Sequence, residues 1–400
     1  MGLTDTPSAE RVHIGFFGMR NAGKSSLVNK ITGQEMSVVS DVKGTTTDPV
    51  RKTMELLPIG PVVIIDTPGL DDIGELGEKR VKKTNEILGL TDIAILVTDA
   101  TTDLSREEEE LIELFKARSL PFIVVYNKSD LVGGAGDIVP REGVESIVVS
   151  SKTGENIHEL KELIGRLAAD NKEEKYLVSD LLHEGDMTVL VIPIDESAPK
   201  GRLILPQQLV MRDLLDHGLA FASCRTEELA ATLASFKKAP ALVITDSQAF
   251  AEVSKIVPSD IALTSFSILM ARYKGELTRL VEGAERLANL EDGAKVLISE
   301  GCTHHRQCND IGTVKLPKLI RKYTGKDIDL EFTSGRDFPS DLSSYDLIVH
   351  CGGCMLNDKE MQRRVKAAVD AGVPIVNYGV AIAKMNGILD RSLEPVKTSM

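Results

Sequence analysis

Gly18-Met19-Arg20-Asn21-Ala22-Gly23-Lys24-Ser25 decides how the N-terminal part of this chain folds. A mostly apolar run at residues 13–17 precedes it, and Leu27, Val28 and Ile31 follow at helical spacing. A strand, a glycine-rich turn and a helix carrying G-x-x-x-x-G-K-[ST] make a phosphate-binding loop. Its backbone N–H groups wrap phosphate oxygens, and the helix N-terminus adds partial positive charge. Lys24 is expected to reach the β/γ-phosphates and Ser25 to ligate Mg2+. Gly18, Asn21, Ala22, Gly23 and Ser26 belong to the same nucleotide-binding set. The bland reading, a glycine-rich turn without a ligand, does not account for all eight residues in this context.

Short apolar runs continue outward from this loop at 62–66, 93–98, 122–127 and 147–150, with helical patterns between them. Runs that are apolar at consecutive positions suit strands buried on both faces of a mostly parallel α/β sheet. Ser105 and Glu108 predict a capping box ahead of Leu111, Ile112, Leu114 and Phe115. The ends of these strands carry the remaining nucleotide motifs. Asp66-Thr67-Pro68-Gly69 offers a carboxylate that holds Mg2+ through water and a Gly69 N–H facing the γ-phosphate. Asn127-Lys128-Ser129-Asp130 supplies a carboxylate that accepts from guanine N1–H and its 2-amino group. Adenine offers neither donor there, so Asp130 selects the base. Ser150-Ser151-Lys152 backs the base, and Thr46, in Gly44-Thr45-Thr46-Thr47-Asp48, completes the Mg2+ shell. Each motif is weak alone; in order, at strand ends, they specify a guanine nucleotide.

The polar stretch 170–175 reads as a linker. A second α/β unit follows, with strands at 188–194, 219–223 and 242–245 and helices at 206–215 and 227–236, and no chemistry-bearing constellation. A third has a long helix at 268–290 and strands at 295–299, 346–349 and 374–377. Domains are drawn at 1–170, 178–262 and 265–400. Cys302-Thr303-His304 and His350-Cys351-Gly352-Gly353-Cys354 follow two of the last strands, where α/β sheets build sites. If those strands are neighbours, three thiolates and one or two imidazoles converge. From spacing alone four readings stand: a 4Fe-4S cluster on Cys302, Cys351 and Cys354 with one open iron; a structural Zn2+ on Cys302, His304, Cys351 and Cys354; a Cys351–Cys354 dithiol; and unrelated cysteines. His304, His350, Cys308 and Asp310 are candidates to approach the open iron.

Composition narrows the classes. The formal net charge is -13, which disfavours broad binding to phosphate backbones. The basic run Lys315, Lys318, Arg321, Lys322 and Lys326 reads as a solvated helix face. Five cysteines in a long chain argue against a disulfide framework, and Cys224 reads as a small buried hydrophobe. No apolar run reaches the ~18 residues a membrane span needs. The N-terminal residues lack a secretory pattern. A cytoplasmic protein in a reducing compartment, bound to neither nucleic acid nor membrane, is expected.

Residues 11–168 resemble the translation-factor-like class of GTPases. Asn21 matches the loop asparagine of K+-activated members that dimerise across their nucleotides, so the resemblance implies K+ held by Asn21 and the 44–48 loop. Leu70 stands where Ras-like proteins place a water-orienting Gln, which implies slow intrinsic hydrolysis. Glu75 or Asp72 is the substitute for that Gln. The whole chain resembles the iron-iron hydrogenase maturation GTPases, the HydF family, through its GTPase motifs together with C-x-H and H-C-x-x-C. That resemblance implies a scaffold and carrier that receives a di-iron precursor from radical-SAM maturases and delivers it to apo-hydrogenase. It implies Cys302, Cys351 and Cys354 as 4Fe-4S ligands, with His304 and His350 supporting them or the open iron. It also implies a middle domain that makes a homodimer, and GTP hydrolysis that regulates partners. The competing classes are a ribosome- or tRNA-associated GTPase with a zinc module and a dithiol redox switch.

Overall fold

A computed structural model describes residues 10–33, 50–67, 84–85, 87–132, 143–170, 175–194, 203–301, 311–335 and 337–399. The chain divides into two compact units, Met1–Glu174 and Lys175–Met400.

The first unit runs β1 (Val12–Phe17), α1 (Lys24–Thr32), β2 (Val50–Leu56), β3 (Gly60–Asp66), β4 (Ile93–Asp99), α2 (Arg106–Ala117), β5 (Phe122–Asn127), β6 (Ser146–Val148) and α3 (Ile157–Asp170). Its sheet has the order β2-β3-β1-β4-β5-β6. All pairs are parallel except β2 with β3. Consecutive apolar residues serve both faces, as their pattern predicts. Ile14, Phe16, Ile64 and Ile95 pack with Leu27, Ile31 and Leu160 from α1 and α3. Phe17, Ile65 and Leu96 pack with Leu111 and Phe115 from α2. The capping box forms: Glu108 N–H donates to Ser105 Oγ, and Ser105 N–H donates to Glu108 Oε2. Strand β2 is an addition to the sequence reading. Its residues Arg51, Lys52 and Thr53 carry no apolar run, because an antiparallel edge strand needs only a ladder partner on one side.

The second unit runs β7 (Met187–Val191), α4 (Leu205–Asp216), β8 (Ala220–Cys224), α5 (Leu229–Ser235), β9 (Leu242–Thr245), α6 (Phe250–Ile256), β10 (Ala262–Ser265), α7 (Phe266–Tyr273), α8 (Leu277–Ala288), β11 (Lys295–Glu300), α9 (Leu316–Thr324), β12 (Asp329–Ser334), β13 (Leu347–His350), α10 (Asp358–Asp370), β14 (Ile375–Asn377), α11 (Tyr378–Met385) and α12 (Leu389–Leu393). Two parallel sheets result, β10-β9-β7-β8 and β12-β11-β13-β14. One apolar core spans both, joining Leu190 and Ile244 to Phe266, Val296 and Val349.

Two expectations need correction here. The helix drawn over 268–290 is two helices, α7 and α8. Gly275 lies between them at φ +82°, a left-handed backbone that ends one helix and re-aims the chain for the next. The boundary drawn at 262–265 runs along β10, which pairs with β9 and so belongs to the first of the two sheets.

Candidate functional site

The phosphate loop leaves the carboxyl end of β1 and enters α1. Gly18 has φ +141°, and a Cβ there would sit 2.1 Å from Val97 O. Gly23 has φ +90°, and a Cβ there would sit 2.3 Å from Asn127 Nδ2. Backbone conformation and space both demand glycine at these two positions. Asn21, exposed, also lies left-handed at φ +62°. Lys24 is buried, and its ammonium donates to Gly18 O at 3.0 Å and Met19 O at 2.8 Å, across the loop it would share with phosphate.

Ser25 Oγ donates to Asp66 Oδ2 at 2.8 Å, so the two Mg2+ candidates meet. Asp66 Oδ1 is buried and has no hydrogen-bond partner among the described residues. Burial pushes the Asp66 carboxyl above its ordinary range, against the opposing effects of Ser25 and Lys24. An orphaned oxygen on a desolvated carboxylate beside a serine hydroxyl is a donor set that suits a hard cation. Thr67 Oγ1 donates to Phe16 O at 2.6 Å and ties the end of β3 to β1.

The residues read as base-binding gather at the ends of β5 and β6, against the phosphate loop. Asn127 is fully buried; its Nδ2 donates to Ala22 O at 3.0 Å, and its Oδ1 accepts from Ser151 N–H at 3.0 Å. It therefore locks the phosphate loop to the base loop. Ser150 Oγ donates to Asp130 Oδ1 at 2.7 Å, and Lys152 approaches the other oxygen at 3.5 Å. The serine bond, helped by Lys152, holds the Asp130 carboxyl below its usual value. Asp99 went unread in the sequence. It ends β4 and pairs with Lys128 at 2.6 Å. Burial opposes its ionisation, but bonds from Lys128 and Thr101 outweigh that and hold its pKa down. An acid at the end of an apolar run was the available signal. Thr46, Gly69, Glu75 and Asp72 lie outside the described residues.

At the second constellation, β11 and β13 are parallel neighbours, with Ser299 opposite His350. Cys351 N–H donates to Ser299 O at 2.9 Å and continues the ladder one step. Cys351 Sγ then accepts from Gly301 N–H at 3.0 Å and from Gly353 N–H at 3.4 Å. Gly353 takes φ +62°, and a Cβ on it would press Met361 Sδ at 3.0 Å. Gly301 immediately precedes Cys302 in the chain. Cys302, His304, His305, Cys308 and Asp310 lie outside the described residues. Among the described residues, no three His, Cys, Asp or Glu side chains are grouped to hold a metal ion. The donor set present nevertheless fits a thiolate-ligated cluster. Cys351 and Cys354 are thiols separated by two glycines, and backbone N–H groups already address one sulfur. Ser299 Oγ, fully buried at the adjacent strand end, has no hydrogen-bond partner among the described residues. Burial pushes the Cys354 thiol up, and the Lys274 charge works against that.

His350 is fully buried, and both ring nitrogens are engaged. Arg364 Nη1 lies 3.1 Å from Nε2, and arginine can only donate, so Nε2 accepts. Nδ1 then carries the proton and donates to Cys351 O at 2.7 Å. Burial, reinforced by Arg364, brings the His350 pKa down to about 4, so the ring is neutral at ordinary pH. The ring thereby holds the Cys351 backbone carbonyl. Arg364, also fully buried, is satisfied by Glu360 Oε1 at 2.8 Å and Gly335 O at 2.7 Å, with the Phe338 ring 5.1 Å away.

Residues 177–275 match the hydrogen maturase F dimerization domain, and residues 278–395 match the hydrogen maturase F tetramerization domain. The chain belongs to the hydrogen maturase F (HydF) family. Residues 13–128 match a GTPase domain described as 50S ribosome-binding GTPase. The chain thus carries a GTPase domain together with its family's dimerization and tetramerization domains. Curated relatives include the tRNA modification GTPase MnmE of Chromobacterium violaceum, 34% identical over 40% of this chain and 36% of the relative. GTPase Der of Kosmotoga olearia is 37% identical over 31% of this chain and 29% of the relative. The chain therefore spans about a third of the length of these relatives. Among solved structures, a probable GTP-binding protein, engB, covers 40% of this chain and 100% of its own at 24% identity and a TM-score of 0.33. Among the described residues no helix is long and apolar enough to cross a membrane.

Proposed function

We propose that this chain is a hydrogenase maturation GTPase that uses GTP with Mg2+ and holds a 4Fe-4S cluster on Cys302, Cys351 and Cys354. On that site it carries a di-iron precursor, received from radical-SAM maturases, to apo-hydrogenase. The supporting observation is the sulfur of Cys351, which accepts N–H bonds from Gly353 and from Gly301, the residue before Cys302. Backbone donors on a sulfur stabilise its thiolate form, the form that ligates iron. When bound, the cluster supplies an iron with an open position at which cargo docks and leaves. The chain's own residues hold the turn: His350 fixes the Cys351 carbonyl, and Gly353, on a left-handed backbone, donates its N–H to Cys351 Sγ.

In the nucleotide half, Lys24, Ser25, Thr46, Asp66 and Gly69 position Mg2+ and the γ-phosphate, with Glu75 placing the attacking water. Asn21, exposed on a left-handed backbone, holds K+ with the 44–48 loop and raises a slow intrinsic rate. A homodimer formed through residues 177–275, working in the reducing cytoplasm, completes the reading.

The test is anaerobic reconstitution of the full chain. Wild type should take up four irons with broad absorbance near ~400 nm. Cys302→Ser should lose most of that iron while hydrolysing GTP at close to the wild-type rate. Wild-type iron content in that variant removes Cys302 from the ligand set. Loaded protein should activate apo-hydrogenase. Similarity to the tRNA modification GTPase MnmE and to a 50S ribosome-binding GTPase domain favours a second reading, a tRNA- or ribosome-associated GTPase with a zinc module. Colourless protein with stoichiometric zinc would select it.

A further inference from the structure

Lys274 is among the largest fully buried side chains of the protein, with 2% exposure. It ends α7, at the junction between the two oligomerisation domains, and its N–H donates to Met270 O at 3.0 Å. The next residue, Gly275, turns the chain into α8. From this junction the ammonium crosses to the cysteine turn. It donates to Leu356 O at 3.0 Å and to Asp358 Oδ1 at 2.8 Å. Leu356 lies two residues past Cys354, and Asp358 is the first residue of α10. The contact is gripped from the other side as well: Gln362 Nε2 donates to Lys274 O at 3.5 Å. Asp358 is shared, since its second oxygen pairs with Lys175 at 2.9 Å. The groups facing the ammonium are therefore one carboxylate, one carbonyl and the Tyr273 ring, 5.9 Å from Nζ.

Lysine is almost never buried to this degree, because desolvating an ammonium is costly even when it is paired. A methionine would span the same distance without that cost. With Lys175 included, two cations face one carboxylate, which leaves a net positive charge beside the Cys354 turn.

We propose that Lys274 is a positioning residue for the cysteine turn whose buried charge raises the reduction potential of the cluster bound there. The proposal rests on the cluster reading above. Reduction adds one negative charge to an already anionic thiolate-ligated centre, and a nearby desolvated cation favours that state. Charge, and not shape alone, is therefore what position 274 supplies.

The experiment is an EPR-monitored redox titration of the anaerobically reconstituted full chain. Lys274→Met should retain iron and shift the one-electron reduction equilibrium at least tenfold toward the oxidised form, about 59 mV more negative. Lys274→Arg should stay close to wild type. Asp358→Asn, which removes the neutralising carboxylate but can still begin α10, should shift the potential the opposite way. It also decides the case should Lys274→Met fail to fold or to hold iron. A wild-type potential in Lys274→Met, an arginine variant that moves as far as the methionine variant, or an unmoved or lowered Asp358→Asn overturns the charge role and leaves the cluster reading intact. A wild-type chain that takes up no cluster overturns both.

Discussion

Gly23 shows how much one missing methyl decides. Its φ of +90° and its 2.3 Å clearance from Asn127 Nδ2 bring the phosphate loop and the base loop into contact. Gly23→Ala must push Asn127 off both Ala22 O and Ser151 N–H. Affinity for GTP should fall by at least tenfold, ~1.4 kcal/mol, in a fluorescent-nucleotide titration. Lys24→Ala and Asp130→Asn should impair GTP binding or turnover on the same scale, through the phosphates and through the base. In all three variants iron uptake should match wild type, because the cysteine turn belongs to a different unit. Loss of iron in any of them contradicts separate sites. These residues were legible in the sequence because each acts through a short motif of fixed spacing. Asp99, which steadies Lys128, was not, since its partner lies 29 residues away.

At the scale of elements, α10 matters most. Its first residue, Asp358, anchors the cysteine turn to Lys274, and its second turn buries Arg364 against Glu360, Gly335 O and His350. Asn357 caps it, accepting from Glu360 N–H at 3.1 Å. Arg364→Ala would leave a buried carboxylate, a carbonyl and a ring nitrogen short of a partner. Removing one member of such a network costs about 3–5 kcal/mol. Arg363, which also bonds Glu360 at 2.7 Å, puts the expected loss near the lower end, ~3 kcal/mol. Denaturant unfolding of the C-terminal unit checks this, and a loss under ~1 kcal/mol would deny the network its structural weight. The amphipathic pattern of residues 358–370 did not disclose it. An arginine on a helix reads as solvent-facing until the strand it faces is known.

At the scale of the whole molecule, two compact units predict two unfolding events. GTP with Mg2+ at a hundred times its Kd should stabilise the transition of the N-terminal unit by ~2.7 kcal/mol and leave the other where it was. Calorimetry with and without nucleotide reads this directly. A single transition that moves as a whole would mean that the two units unfold together.

Local order was readable in advance: the phosphate loop between a strand and a helix, the base motif at a strand end, the capping box, and the two cysteine motifs after apolar runs. Spacing along the chain sets these, because each is a property of adjacent residues and of a repeat of two or of 3.6. The fold in space decided the rest. That β11 lies beside β13 brings Gly301 to Cys351; that Gly275 breaks the helix expected over 268–290 sends Lys274 across 84 residues of chain to Asp358. Strand order and burial are set by the packing of all elements at once, and a buried charge finds its partner only after they close around it.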